Sequence, residues 1–114
     1  MNVHKSAALL IAAFAVLSSG PASAQDWPQR TVTVVVPLGA GSATDIMARV
    51  VMEQVGKQVG QTIVIENRPG AGGTIGASAV AKSAPDGHTI LAYGALSIAN
   101  ALYSKLPYDT LADF

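Results

Sequence analysis

The sequence predicts an α/β fold: a β-α-β-α-β run on a parallel sheet of strand order 2-1-3, the front part of something larger. Three features carry that expectation. "TVTVVV" (Thr31 to Val36) is a continuous β-branched run, the pattern of a strand buried on both faces. Apolar residues at helical spacing follow it. Two further short strand-like segments then alternate with glycine turns and helical patterns.

Taken in order, Pro37 ends the first strand because it cannot donate to a ladder. From Asp45 to about Val59, apolar residues fall at Ile46, Met47, Val50, Val51, Val55 and Val59, with Arg49, Glu53, Lys57 and Gln58 on the other side. Ser42 or Thr44 is placed to cap this helix, Asp45 suits the positive end of its dipole, and Gly60 terminates it. "TIVIE" (Thr62 to Glu66) is the second strand. "NRPGAGGTIG" (Asn67 to Gly76) is a second glycine-rich turn leading into an Ala-rich helix that runs to about Ser83. "PDGH" (Pro85 to His88) reads as a turn, and His88 to Tyr93 as the third strand. "GALSIANALYSKL" is a loop and a short helix before the turn at Pro107.

The first 24 residues are of another kind. Lys5 precedes an apolar run of 11 residues, Ala7 to Leu17, and "SSGPASA" ends on Ala22-Ser23-Ala24. This is the layout of a secretory signal, cleaved between Ala24 and Gln25. The run is well short of the ~20 residues that span a bilayer, so no membrane insertion is expected after cleavage. Residues 25–114 are then the exported chain. The formal net charge of the whole 114-residue sequence is zero, which gives no basic stripe for nucleic acid. There is no Cys, and His4 and His88 stand alone, which leaves neither a transition-metal site nor a thiol nucleophile. No Ser-His-Asp set and no carboxylate pair on one face emerges, so no catalytic residue is named.

In an open sheet of order 2-1-3 the strand order reverses between strands one and three. Ligands lie outside the carboxyl ends of the strands at that point. Two loops qualify: Pro37 to Thr44 after strand one, and Gly94 to Ser97 after strand three. The first is rich in glycine, opens a helix and contains no Lys or Arg. Its free N–H groups converge where the helix dipole is positive, which suits backbone capture of a carboxylate. The loop is also close to the G-x-G-x-x-G of dinucleotide sites, with Glu66 lying 22 residues beyond Thr44. Against that reading, Thr44 replaces the third glycine and Pro37-Leu38 separates strand from turn. A tight turn with no ligand is the plain alternative. Arg68, Lys82 and His88 read as structural or solvated positions, and the second glycine turn as one made for close helix packing.

"RTVTVVVPLGAGSATDIMARVV", "GQTIVIENRPGAGGTIGASAVAKSAPDGHTILAYG" and "LYSKLPYDTLADF" together resemble the Bug-type periplasmic solute-binding receptors of tripartite tricarboxylate transporters. The resemblance runs from Trp27 to Phe114. It implies the first part of a type II periplasmic-binding-protein-like lobe, in a two-lobed receptor that closes on a small organic acid. The solute would be a di- or tricarboxylate or an amino acid, delivered to the transporter's membrane permease subunits. No cofactor and no catalysis are implied. The family loop P-A-G-G-x-T-D holds a ligand carboxylate through backbone groups and ordered water. Its positions here are Gly39, Ala40, Gly41, Ser42, Ala43, Thr44 and Asp45, with Gly39 in place of proline and Ser42 in place of the second glycine. The expected ligand-binding set is therefore Leu38, Gly39, Ala40, Gly41, Ser42, Thr44 and Asp45, with Ala95, Leu96 and Ser97 from the loop after strand three. Family receptors continue well beyond "LPYDTLADF". The resemblance thus implies a chain matching about the first third of a receptor, with capture impaired in the absence of an opposing lobe. A non-functional remnant and a dinucleotide-binding oxidoreductase domain are the competing readings.

Overall fold

Four valines make the spine of the molecule. Val32, Val34, Val35 and Val36 of β1 (Val32–Val36) are each no more than 2% exposed, as is expected of a strand flanked on both edges and covered on both faces. Fully burying a valine stabilises by roughly 1.5–3 kcal/mol, so this segment dominates the core. The computed structural model describes residues 26–114; the predicted signal segment 1–24 and its junction with Gln25 lie outside the described residues.

β1 pairs in parallel with β2 (Ile63–Asn67) in the register Val32↔Ile63 to Val36↔Asn67. On its other edge it pairs in parallel with β3 (Thr89–Leu91), Thr33↔Thr89 to Val35↔Leu91. The sheet order is β2-β1-β3, as the alternation of strands and helices predicts. Strand three is shorter than the six residues read from sequence. The Ala92 N–H still donates to the Val35 carbonyl, but β1 ends one residue later, and the buried Pro37 offers no further pairing.

α1 (Ala43–Val59) connects β1 to β2. Ser42 rather than Thr44 caps it, its Oγ accepting from the Asp45 N–H at 3.3 Å. Gly60 closes the other end in the left-handed conformation, φ 67°. The helix buries Asp45 and Ala48, while Ile46, Met47, Val50 and Val51 are 53–66% exposed. This departs from the amphipathic reading, and the cause is geometric. The apolar arc of α1 is wider than the strip of sheet beneath it, so its outer half stays uncovered among the described residues.

The second glycine turn contains a short 3₁₀ piece (Ala71–Gly73) and leads into α2 (Thr74–Ala81). Its main packing device is Gly76. A Cβ there would lie 2.7 Å from Pro37 Cβ and 2.9 Å from the Arg68 carbonyl oxygen, so only glycine lets α2 sit this close to the end of β1. After β3 come a 3₁₀ turn (Leu96–Ile98) and a one-turn helix, α3 (Ala99–Leu102).

Gly76→Ala sets two effects against each other. Alanine in a helix interior gains about 1 kcal/mol in propensity. Overpacking against backbone atoms that cannot swing away costs ~1–3 kcal/mol. Because the colliding groups are Pro37 and a main-chain carbonyl, the clash is expected to win. The urea midpoint should fall with an unchanged denaturant slope.

Candidate functional site

Three strands, all running the same way, bring the two loops singled out by sequence to one end of the sheet, on the adjacent strands β1 and β3. The first loop is organised from below by one carboxylate. Asp45, in the first turn of α1, is 2% exposed. Its Oδ2 accepts from the Gly41 N–H at 2.8 Å, and its Oδ1 from Asn67 Nδ2 at 3.0 Å. Arg49, one turn along the same helix, donates through Nε to both oxygens at 3.1 and 3.2 Å. Asn67 Nδ2 also reaches the Leu38 carbonyl at 3.1 Å, and Arg49 returns a bond to Asn67 Oδ1 at 3.1 Å. Loop, helix and the end of β2 are thereby tied into one polar network. The Arg49 guanidinium, followed by the Gly41 and Asn67 donors, holds the Asp45 carboxyl at about 2, against an ordinary value of 3.8.

This arrangement places the predicted residues in two groups. Gly39, Ala40 and Gly41 are exposed, with Gly41 at φ +83°, a conformation that glycine adopts without strain. Ser42 is occupied as the cap, and Asp45 faces inward to the network rather than outward to solvent. The Gly41 amide is occupied by Asp45, and the Asp45 amide by Ser42. The amides of Ala40, Ala43 and Thr44 have no protein acceptor among the described residues. They remain as donors at the positive end of a 17-residue helix, where an anion is favoured. Ala95, Leu96 and Ser97 open the 3₁₀ turn after β3; Ser97 is exposed and the other two are half-buried. Between α1 and the end of β3 lies a cavity of about 420 Å³ lined by Thr44, Met47, Val51, Met52, Ala92 and Tyr93, among others. Thr44 is the one residue of the expected set on its wall.

Two residues of the network carry no site role in the sequence. Arg49 reads as part of the polar side of the helix, although it stands at the i,i+4 spacing from Asp45 that favours an ion pair. Asn67 reads as the start of the glycine turn. In the structure it is the last residue of β2, directly opposite Val36, and so lies at the mouth of the first loop. Glu66, the residue placed where a dinucleotide site needs an acid, is instead bonded to Arg68 Nε at 2.6 Å. Among the described residues no His, Asp and Glu side chains cluster as metal ligands, and no helix is long and apolar enough to cross a membrane.

Residues 47–114 match the family described as the tripartite tricarboxylate transporter family receptor. A UPF0065 protein of Bordetella bronchiseptica is 46% identical over 107 residues, covering 92% of this chain and 32% of its own length. Among solved structures, the periplasmic binding protein BugD is similar with a TM-score of 0.72 at 43% identity, over 77% of this chain and 30% of that one. MatC from Rhodopseudomonas palustris, solved with bound malate, gives a TM-score of 0.67 at 47% identity, over 77% of this chain and 31% of that one. The chain thus spans about a third of the length of the curated relatives it matches.

The depressed Asp45 carboxyl makes a prediction about acid. A carboxyl whose folded value lies below its unfolded one contributes stability that is complete above the unfolded value and is lost as pH falls through the folded one. For Asp45 that window runs from 3.8 down to about 2. Asp86, held at about 2 by the His88 N–H and the Arg30 guanidinium, adds to the same window. Denaturant midpoints measured across this range should fall steeply for the wild type and less steeply for Asp45→Asn. An unchanged slope in the variant would contradict the role given to the network.

Proposed function

Because the chain belongs to the tripartite tricarboxylate transporter receptor family, we propose that it captures a small carboxylate-bearing solute at the loop that follows β1. The family is one of solute-binding receptors, so the chain is not an enzyme, and the setting the family implies is the periplasm. Cleavage before Gln25 would release residues 25–114 there as the opening part of the first lobe of a two-lobed receptor, serving membrane permease subunits.

The observation that carries the reading is the set of unoccupied amides at Ala40, Ala43 and Thr44, held in place by the inward-facing Asp45. Leu38, Gly39, Gly41 and Ser42 shape the same loop, with Ala95, Leu96 and Ser97 facing it from the end of β3. A carboxylate seated there receives backbone donors and the helix dipole, with no cationic side chain in the loop. The malate bound to MatC supports a solute of this chemical class. Affinity is limited by exposure. Millimolar binding corresponds to about 4 kcal/mol, which a few solvated amides can supply, whereas micromolar binding needs about 8 kcal/mol and burial of the acid.

The test is a backbone-amide NMR titration of the exported chain with malate, citrate and NAD in turn. Malate or citrate should move the Ala40, Ala43 and Thr44 resonances with a Kd on the order of 1–10 mM. Gly41→Val, which forces a β-branched residue to φ +83°, should abolish the response. Shifts produced by NAD alone would refute the proposal.

A further inference from the structure

The loop that faces the solute site from β3 is attached to the rest of the molecule in an unusual way. The last main-chain bond that joins it to the sheet is the one from the Ala92 N–H to the Val35 carbonyl. From Tyr93 to Tyr103 the other main-chain bonds are internal, such as Ile98 N–H to the Ala95 carbonyl and Tyr103 N–H to the Ala99 carbonyl. Among the described residues, the hydrogen bonds that tie this segment back to earlier parts of the chain are two, and both come from phenols. Tyr93 Oη donates to the Gly72 carbonyl, and Tyr103 Oη donates to the Ala71 carbonyl at 3.2 Å.

The receiving carbonyls belong to the second glycine turn, which is shaped to accept them. Gly70, Ala71, Gly72 and Gly73 all have positive φ, between 46° and 134°. A Cβ on Gly73 would stand 2.6–2.8 Å from the outer ring atoms of Tyr93, and one on Gly72 would overlap the Tyr103 hydroxyl. The turn is anchored in its own right, since Gly76 locks the helix behind it onto Pro37 and the Arg68 carbonyl. Tyr93 therefore connects a fixed support to a segment that otherwise leaves the sheet. Its ring also lines the cavity between α1, from Thr44 onward, and the end of β3.

We propose that Tyr93 is a positioning residue for solute capture: its hydroxyl, braced on the Gly72 carbonyl, fixes Gly94–Ser97 beside the Gly39–Thr44 loop. The inference rests on the solute site proposed above and gives the second glycine turn a function that its packing alone does not. Tyr103 braces the far end of the same segment.

The test compares the wild-type chain with Tyr93→Phe, which keeps the ring and removes only the hydroxyl. Backbone order parameters of Gly94–Ser97 should drop from the rigid range near ~0.85 to below ~0.6, with those of β1 and α1 unchanged. The malate Kd should rise about five- to tenfold, the value of one lost hydrogen bond. Gly73→Ala, which pushes the ring away, should reproduce both changes, whereas Tyr108→Phe should reproduce neither because its hydroxyl has no partner. Unchanged order parameters at Gly94–Ser97 in Tyr93→Phe would overturn the proposal, as would an equal loss throughout β1 and α1. A rigid-to-mobile change without any effect on malate would overturn the link to capture. If the wild type binds no malate or citrate at all, the proposed function fails, and the order parameters alone decide whether Tyr93 fixes the loop.

Discussion

The carboxylate of Asp45 is where strand, loop and helix are joined, and the usable shape of the first loop depends on it. A run of Gly-Ala-Gly has little conformational preference of its own, and ordering it costs roughly 1–2 kcal/mol per residue. Here that cost is met inside the protein. The Gly41 N–H is drawn down onto Asp45, the Leu38 carbonyl is held by Asn67, and Arg49 closes the circuit. A negative group at a helix start would ordinarily compete with an anionic ligand for the same positive end. Pairing with Arg49 neutralises Asp45, and its burial turns it away from the loop's outer side. The remaining amides keep their donors free for an incoming anion. Preorganisation of this kind raises affinity by lowering the ordering cost of binding rather than by adding contacts.

The two candidate loops are held by different physics. The first sits between the fully buried central strand and the start of a 17-residue helix, with a charged network beneath it. The second follows a strand of three residues whose one neighbour among the described residues is β1. Backbone pairing cannot extend further because β1 ends and Pro37 follows. Phenol hydroxyls on a glycine turn take over where the ladder stops. The glycines of that turn thus serve two neighbours at once. Gly76 admits the β1 end against α2, and Gly72 and Gly73 admit the tyrosines against the turn.

Much of this was legible in the sequence. The β-branched run marked β1 as a central strand. Ser42 or Thr44 at one end and Gly60 at the other marked the bounds of α1, with the structure choosing Ser42, and the alternation of elements pointed to the order β2-β1-β3. The helix face was less legible. Periodicity reports which residues are apolar but not how much of the apolar arc a three-stranded sheet covers, so Met47 and Val51 read like Val55 although they are exposed. Arg49 and Asn67 were hidden for a different reason. Their partnership needs the parallel register that sets Asn67 opposite Val36, and a register is a three-dimensional fact. The phenol-to-carbonyl bonds of Tyr93 and Tyr103 have no spacing signature at all. Distinguishing a carboxylate loop from a dinucleotide loop rested on Pro37, Thr44 and the resemblance. The structure adds that Glu66 is taken by Arg68.

The energetics of the site follow from its lack of a cationic side chain. Each hydrogen bond from an amide to a charged acceptor is worth about 1.5–3 kcal/mol, so three of them give roughly 4.5–9 kcal/mol. Association itself costs an estimated 4–15 kcal/mol. The two ranges overlap, so backbone donors alone leave at best about 4–5 kcal/mol, the millimolar range, when the acid remains in water. What tips the balance is the environment, because the same amides act far more strongly once water is excluded. The apolar face of α1 beside the loops, with Met47 and Val51 on the cavity wall, offers low-dielectric surface but only on one side. Discrimination between acids must then arise from whatever closes over that side. On the function proposed above, the loop recognises a carboxylate as such, and not a particular molecule.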